Sequence, residues 1–148
     1  MTVRETILLS VMLLLLDSGL PADGDALRAL PIRLSVVDSI SNIPVLTYHT
    51  AVVEGGVLLG AMRRLQQTQD HFKFTVREDP DFGLFLESVN GVGGTASDQT
   101  YWEVLLESSG TTVRISTGIG CHVPKANDHI ILRRTTRPKA GLEEFTEQ

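Results

Sequence analysis

Disulfides have no place in this chain's stability, because it holds a single cysteine, Cys121. The fold must therefore be held by packing. The sequence predicts Cys121 as a small buried apolar residue, with an exposed thiol open to a second chain as the alternative. A basic surplus is also missing. Thirteen Lys and Arg stand against eighteen Asp and Glu, a net charge of −5. Nucleic acid and anionic membrane surfaces call for a basic stripe, so neither is an expected partner. No apolar run approaches the roughly 20 residues needed to cross a bilayer. No Asn-x-Ser/Thr sequon occurs, which argues against N-glycosylation. Aromatics are scarce: one Trp, two Tyr and five Phe. Where they fall is therefore informative.

What is present begins with a leader. Residues 7–16 are an apolar run, interrupted only by Ser10, behind Arg4 and followed by Asp17-Ser-Gly-Leu-Pro-Ala-Asp-Gly24. This is the pattern of a secretory signal peptide over residues 1–24, cut within 19–24, and it predicts a secreted, extracellular protein. The leader is net −2, so the remaining 124 residues carry −3 of the total. That length suits one domain with a single core.

After a short linker, residues 25–31, the chain reads mostly as strands. Ile32, Leu34 and Val36 alternate with Arg33, Ser35 and Val37, and a turn at 39–44 leads into a second strand at 45–53. The period then changes. Leu58, Ala61, Met62 and Leu65 form one apolar helical face, with Glu54 expected near its start and Arg63 and Arg64 toward its end. Gly60 within it is expected to let a strand backbone approach closely. Phe72, Phe74 and Val76 return to period two, and the acidic turn Glu78-Asp-Pro-Asp81 follows. Leu84, Leu86 and Ser88 oppose Phe85, Glu87 and Val89, and residues 91–98 read as a flexible loop. Strands at 101–106 and 112–115 flank the hairpin connection Glu107-Ser-Ser-Gly110. A last strand starts at Ile130, and residues 135–148 read as a polar tail. One helix on a mixed sheet predicts an α+β, β-grasp-like fold.

Catalytic patterns are sparse. His49, His71, His122 and His129 lack zinc-ligand spacing. Cys121 and His122, as strand neighbours, would point apart and form no thiol–base pair. Ser108, Ser109 and Ser116 lie in no nucleophile elbow, and Gly91-Val-Gly-Gly94 lacks the Lys-Ser/Thr of a phosphate loop. The acidic turn at Glu78, Asp79 and Asp81 has no EF-hand spacing. An enzyme is not expected. Binding is, because Tyr101 and Trp102 face opposite sides of one strand. One of them enters the core, and the other offers either a platform for a planar ligand or plain packing at an edge.

Five motifs in order give the chain a resemblance. They are Gly55-Gly-Val-Leu-Leu59, Phe72-Lys-Phe74, Gly83-Leu-Phe-Leu-Glu-Ser-Val89, Thr100-Tyr-Trp-Glu-Val-Leu105 and Thr117-Gly-Ile-Gly-Cys121 with Asn127-Asp128. From 32 to 134 this resembles the C-terminal β domain of the vitamin B12 carriers transcobalamin, intrinsic factor and haptocorrin. The resemblance implies a cap over cobalamin or a related corrinoid, with no covalently bound cofactor. By it Phe82, Gly83, Leu84, Phe85, Leu86, Trp102, Glu103 and Val104 would face the corrin. The carriers' helical-barrel domain has no counterpart in this sequence, and Val113-Arg-Ile115 stands where the family has a Pro-Leu pair. The implied site is half a site, used alone or with a partner that supplies the other half. The alternative is a secreted interaction module that meets a receptor or another protein without the vitamin.

Overall fold

The computed structural model describes residues 27–81 and 83–138. The leader, most of the polar tail and Phe82 lie outside the described residues. Alternation makes the first strand: β1 (Ala29–Asp38) buries Leu30, Ile32, Leu34 and Val36 on one face. β1 thus begins inside the segment read as a linker, because Leu30 has a place in the core. Pro31 is tolerated there because the side its missing N–H would serve faces a loop, where its carbonyl accepts from Asn127 N–H at 2.7 Å.

Asp38 ends β1 and turns the chain. Its Oδ1 accepts the N–H groups of Ile40 and Ser41 at 3.0 and 3.1 Å, an Asx turn into β2 (Leu46–Val53), which runs antiparallel to β1. On its other side β1 lies parallel to β8 (His129–Thr136). β6 (Thr100–Ser108) pairs antiparallel with β8 and with β7 (Thr111–Arg114), giving the order β2-β1-β8-β6-β7. Thr135 and Thr136, expected in the tail, are paired with Tyr101 and Thr100.

The helix α1 (Leu58–Thr68) buries the four residues its periodicity selects: Leu58, Ala61, Met62 and Leu65. With Leu34, Val52, Ile130 and Leu132 they belong to one core. The expected charge support for its dipole is absent. The first turn holds no acid and the last no base, and Glu54 lies four residues upstream, 4.0 Å from Arg28. The start is capped by backbone instead. Leu58 N–H donates to His122 O at 2.8 Å and Leu59 N–H to Ile119 O at 2.9 Å, satisfying two donors that a helix start leaves open. Gly60 also departs from expectation. It is exposed, and a Cβ there would meet nothing within 4 Å.

A smaller sheet holds β3 (Phe74–Asp79), β4 (Gly83–Val89) and β5 (Val92–Gly93). The register slips between Thr75↔Ser88 and Val76↔Leu86, so β4 carries one extra residue. This bulge puts Leu86 and Val89 both inside, where strict alternation set them on opposite faces. The stretch expected as a flexible loop is partly strand. Asn90 (φ 50°) and Gly91 (φ 80°) form a two-residue hairpin turn, which is why β5 follows at once.

Two glycines should respond oppositely to alanine. Gly60→Ala should stabilise by about 0.5–1 kcal/mol by removing backbone freedom from an exposed helix position. At Gly94 a Cβ would stand 2.5 Å from Thr100 O and 2.9 Å from Tyr101 Cα, both backbone. Gly94→Ala should therefore cost about 1–3 kcal/mol. Urea denaturation of both variants checks the pair.

Candidate functional site

The site lies where the start of β6 and the end of β8 meet the outer face of the β3–β4 ribbon. β6 alternates as the sequence requires. Trp102 and Val104 enter the core, while Tyr101 and Glu103 face the other way. Trp102 is 7% exposed, and its indole N–H donates to Val92 O at 2.8 Å, tying the large sheet to β5. The bulge keeps Leu86 inward and Phe85 outward, with Phe85 still 37% exposed. Between these strands opens a cavity of about 980 Å³. That is at the upper end of the roughly 300–1,000 Å³ of small-molecule sites.

Its walls pair arginines with aromatic rings. Arg77 lies over Phe85, Cζ 4.8 Å from the ring centroid. Arg114 and Arg137 lie at 5.4 and 5.5 Å from the Tyr101 centroid. Asp79 and Glu87 belong to the β3–β4 wall, and Gln99 and Thr100 to the rim. Such a surface offers flat apolar faces with hydrogen-bond donors around them.

Of the residues the resemblance selects, Phe85, Leu86 and Trp102 line this cavity. The other described ones lie away from it. Gly83 (φ 77°) opens β4. Leu84 packs toward the 118–120 segment, its Cδ1 3.5 Å from where a Gly120 Cβ would sit. Val104 is in the core. Glu103 is 8% exposed on the opposite face, where its Oε1 accepts from Arg133 Nε at 2.6 Å and its Oε2 lies 3.8 Å from Arg114. Tyr101, Arg77, Arg114 and Arg137 were missed. The outward half of the Tyr-Trp pair was the available signal for Tyr101, while nothing local marks the arginines, which converge from β3, β7 and the end of β8.

Cys121 is exposed rather than buried. It sits in a turn, not a strand, with His122 N–H bonded to Gly118 O at 3.1 Å, and Ile119 takes the interior position. Among the described residues no three His, Cys, Asp or Glu are grouped to hold a metal, and no helix is long and apolar enough to cross a membrane.

On the sheet face away from α1, Ser35 Oγ lies 2.8 Å from His129 Nε2, and Glu107 Oε2 lies 3.3 Å from Nδ1. The connectivity is that of a nucleophile, base and acid. Arg33 decides against it. Its guanidinium, 3.1 Å from Nδ1, can only donate, so in the neutral ring Nδ1 accepts and Nε2–H donates to Ser35. The hydroxyl is held, not activated. Ser35 is also 4% exposed, out of a substrate's reach.

Burial, then the Arg33 charge, holds the His129 imidazole below its usual range, while Glu107 pulls the other way. His49, opposite Arg33 on β2, completes the row. Protonating His129 thus costs more in the folded chain than in the unfolded one. Stability should be intact above the ordinary value of 6.5 and fall as pH drops below it. Urea midpoints from pH 7.5 down to 5.5 should decline in the wild type, and the decline should flatten in His129→Gln. At the far end of β1 burial works to raise the Asp38 carboxyl, but the Ile40 and Ser41 N–H groups and Arg134 outweigh it and lower it. That contribution persists to pH values below the imidazole window.

No protein-family model matches the chain. Canine cobalamin binding intrinsic factor is 32% identical over 84 residues, which is 57% of this chain and 19% of that protein. Human transcobalamin-1 is 32% identical over 113 residues, 70% of this chain and 25% of that protein. The chain thus spans a quarter or less of the curated relatives it matches. Haptocorrin in complex with Cbi shares the fold, with a TM-score of 0.63 at 23% identity, covering 75% of this chain and 26% of that one. A protein from Ruminococcus gnavus matches with a TM-score of 0.50 at 15% identity, over 74% of this chain and 99% of its own, so the fold also occurs as nearly the whole of a solved chain. In sequence and in fold, the chain is therefore similar to a domain-sized portion of the transcobalamin, intrinsic factor and haptocorrin family.

Proposed function

We propose that this chain is a secreted, non-enzymatic corrinoid-binding protein, corresponding to the C-terminal cap domain of the cobalamin carriers. The observation that carries the reading is the cavity. Phe85, Leu86 and Trp102, three of the eight residues carried over by the family resemblance, line one space of about 980 Å³. A corrin ring is broad and apolar with amide arms, and suits aromatic walls edged by donors. The relatives are named for cobalamin binding, which supports a carrier over an enzyme. The leader pattern of residues 1–24 supports secretion, and β1 lying parallel to β8 at the sheet centre fits a β-grasp architecture. A lone cap buries one side of its ligand and gives up much of the contact that affinity rests on. A second protein would supply the other side.

A specific feature favours a protein partner as well. Ile40, Ile43, Val45 and Leu46, at the β1–β2 turn and the start of β2, are each 42–58% exposed. An interaction module that does not take the vitamin would use that apolar tip and leave the cavity empty.

Hydroxocobalamin titrated into the protein lacking the leader should quench Trp102 fluorescence. Phe85→Ala should weaken the binding about tenfold, the loss of one aromatic contact. No quenching up to high micromolar ligand, with the fold verified by circular dichroism, would rule out binding by the chain alone.

A further inference from the structure

The charges around the cavity are unevenly satisfied. Arg114 already faces the Glu103 carboxylate at 3.8 Å, and Glu103 is bound in turn by Arg133. Arg137 has no carboxylate within ion-pair distance among the described residues, although it lies against the same Tyr101 ring at 5.5 Å. The acids of the cavity sit on the opposite, β3–β4 wall and have other engagements. Glu87 accepts from Thr75 Oγ1 at 3.2 Å, and Asp79 accepts Asp81 N–H at 2.9 Å.

A guanidinium laid over a ring uses its face. Its N–H donors project in the plane, from the edge, in the fork that fits an oxyanion. Arg137 is solvent-exposed where it lines the cavity, so a ligand's acidic group can reach it, and a guanidinium carries its charge at any physiological pH. Such donors bind an anion about twice as strongly as a neutral acceptor. The protein as a whole is acidic, at −5, so this cationic edge runs against its general charge.

We propose that Arg137 forms an anion subsite on the rim of the cavity, so that the cavity selects planar, apolar ligands bearing a carboxylate or comparable oxyanion. The ligand's flat body lies between Phe85 and Tyr101, and its acidic group meets the Arg137 donors. The subsite uses the cavity of the corrinoid reading but does not depend on a corrin.

The test compares 2-naphthoate with 2-naphthamide, two flat bodies of equal size that differ in charge. Both are titrated into the wild type and Arg137→Gln by calorimetry, with thermal unfolding as the check on the variant's fold. The acid should bind about tenfold more tightly than the amide at low salt, and the margin should shrink as salt is raised. In Arg137→Gln the margin should fall to about twofold or less, with amide binding unchanged. Equal binding of acid and amide, a margin that survives Arg137→Gln, or no binding of either at millimolar concentration would overturn the proposal. The two readings fail separately. Hydroxocobalamin binding without an acid preference removes the subsite alone, and an acid preference without hydroxocobalamin binding removes the corrinoid alone.

Discussion

Trp102 joins the two sheets, and the cavity depends on that joint. The indole is buried on the core side of β6, and its N–H reaches across to the Val92 carbonyl at 2.8 Å. A buried indole donor without a partner would be costly, and so would a carbonyl left unpaired at that junction. Both are satisfied by one contact. It fixes β5 against β6, and through β5 it sets where β4 presents Phe85. Had the strand period placed Trp102 outward and Tyr101 inward, the shorter donor reach would not serve this joint, and the aromatic facing the cavity edge would differ. The sole tryptophan thus acts first as a structural link and second as part of a wall.

A second constraint acts through the helix. α1 has no side-chain cap, so its first N–H groups depend on carbonyls of Ile119 and His122. The glycine-rich segment around Gly118, with φ 74°, can lie that close because no Cβ stands in the way: one at Gly118 would meet Leu84 O at 3.1 Å. Helix, β4 and the segment following β7 are therefore locked together at one place. This explains why the Gly-Ile-Gly motif stands out in the sequence although it touches no part of the cavity: its work is in the frame.

Much of the fold was legible because it follows from period. The apolar alternation of β1 and the i, i+3, i+4, i+7 face of α1 require burial, and the tertiary structure honours both. The misreadings come from features that period does not encode. A one-residue bulge in β4 brings Val89 to the same side as Leu86. The Asn90-Gly91 turn converts an apparent loop into a strand. Cys121 turns outward because Ile119 fills the interior first. In the site, Phe85, Leu86 and Trp102 were accessible through motif likeness, but the arginines were not. Arg77, Arg114 and Arg137 are far apart in sequence and meet only when strands β3, β7 and the end of β8 converge on Phe85 and Tyr101.

The central claim is that the space between Phe85 and Trp102 is where a corrinoid meets this chain. Amide chemical-shift mapping with added hydroxocobalamin tests it most directly. The account predicts that the largest shifts cluster at Phe85, Leu86, Gln99, Tyr101 and Trp102, with the β1–β2 turn unmoved. Shifts absent from those residues, or confined to the turn around Ile40 and Ile43, would contradict it.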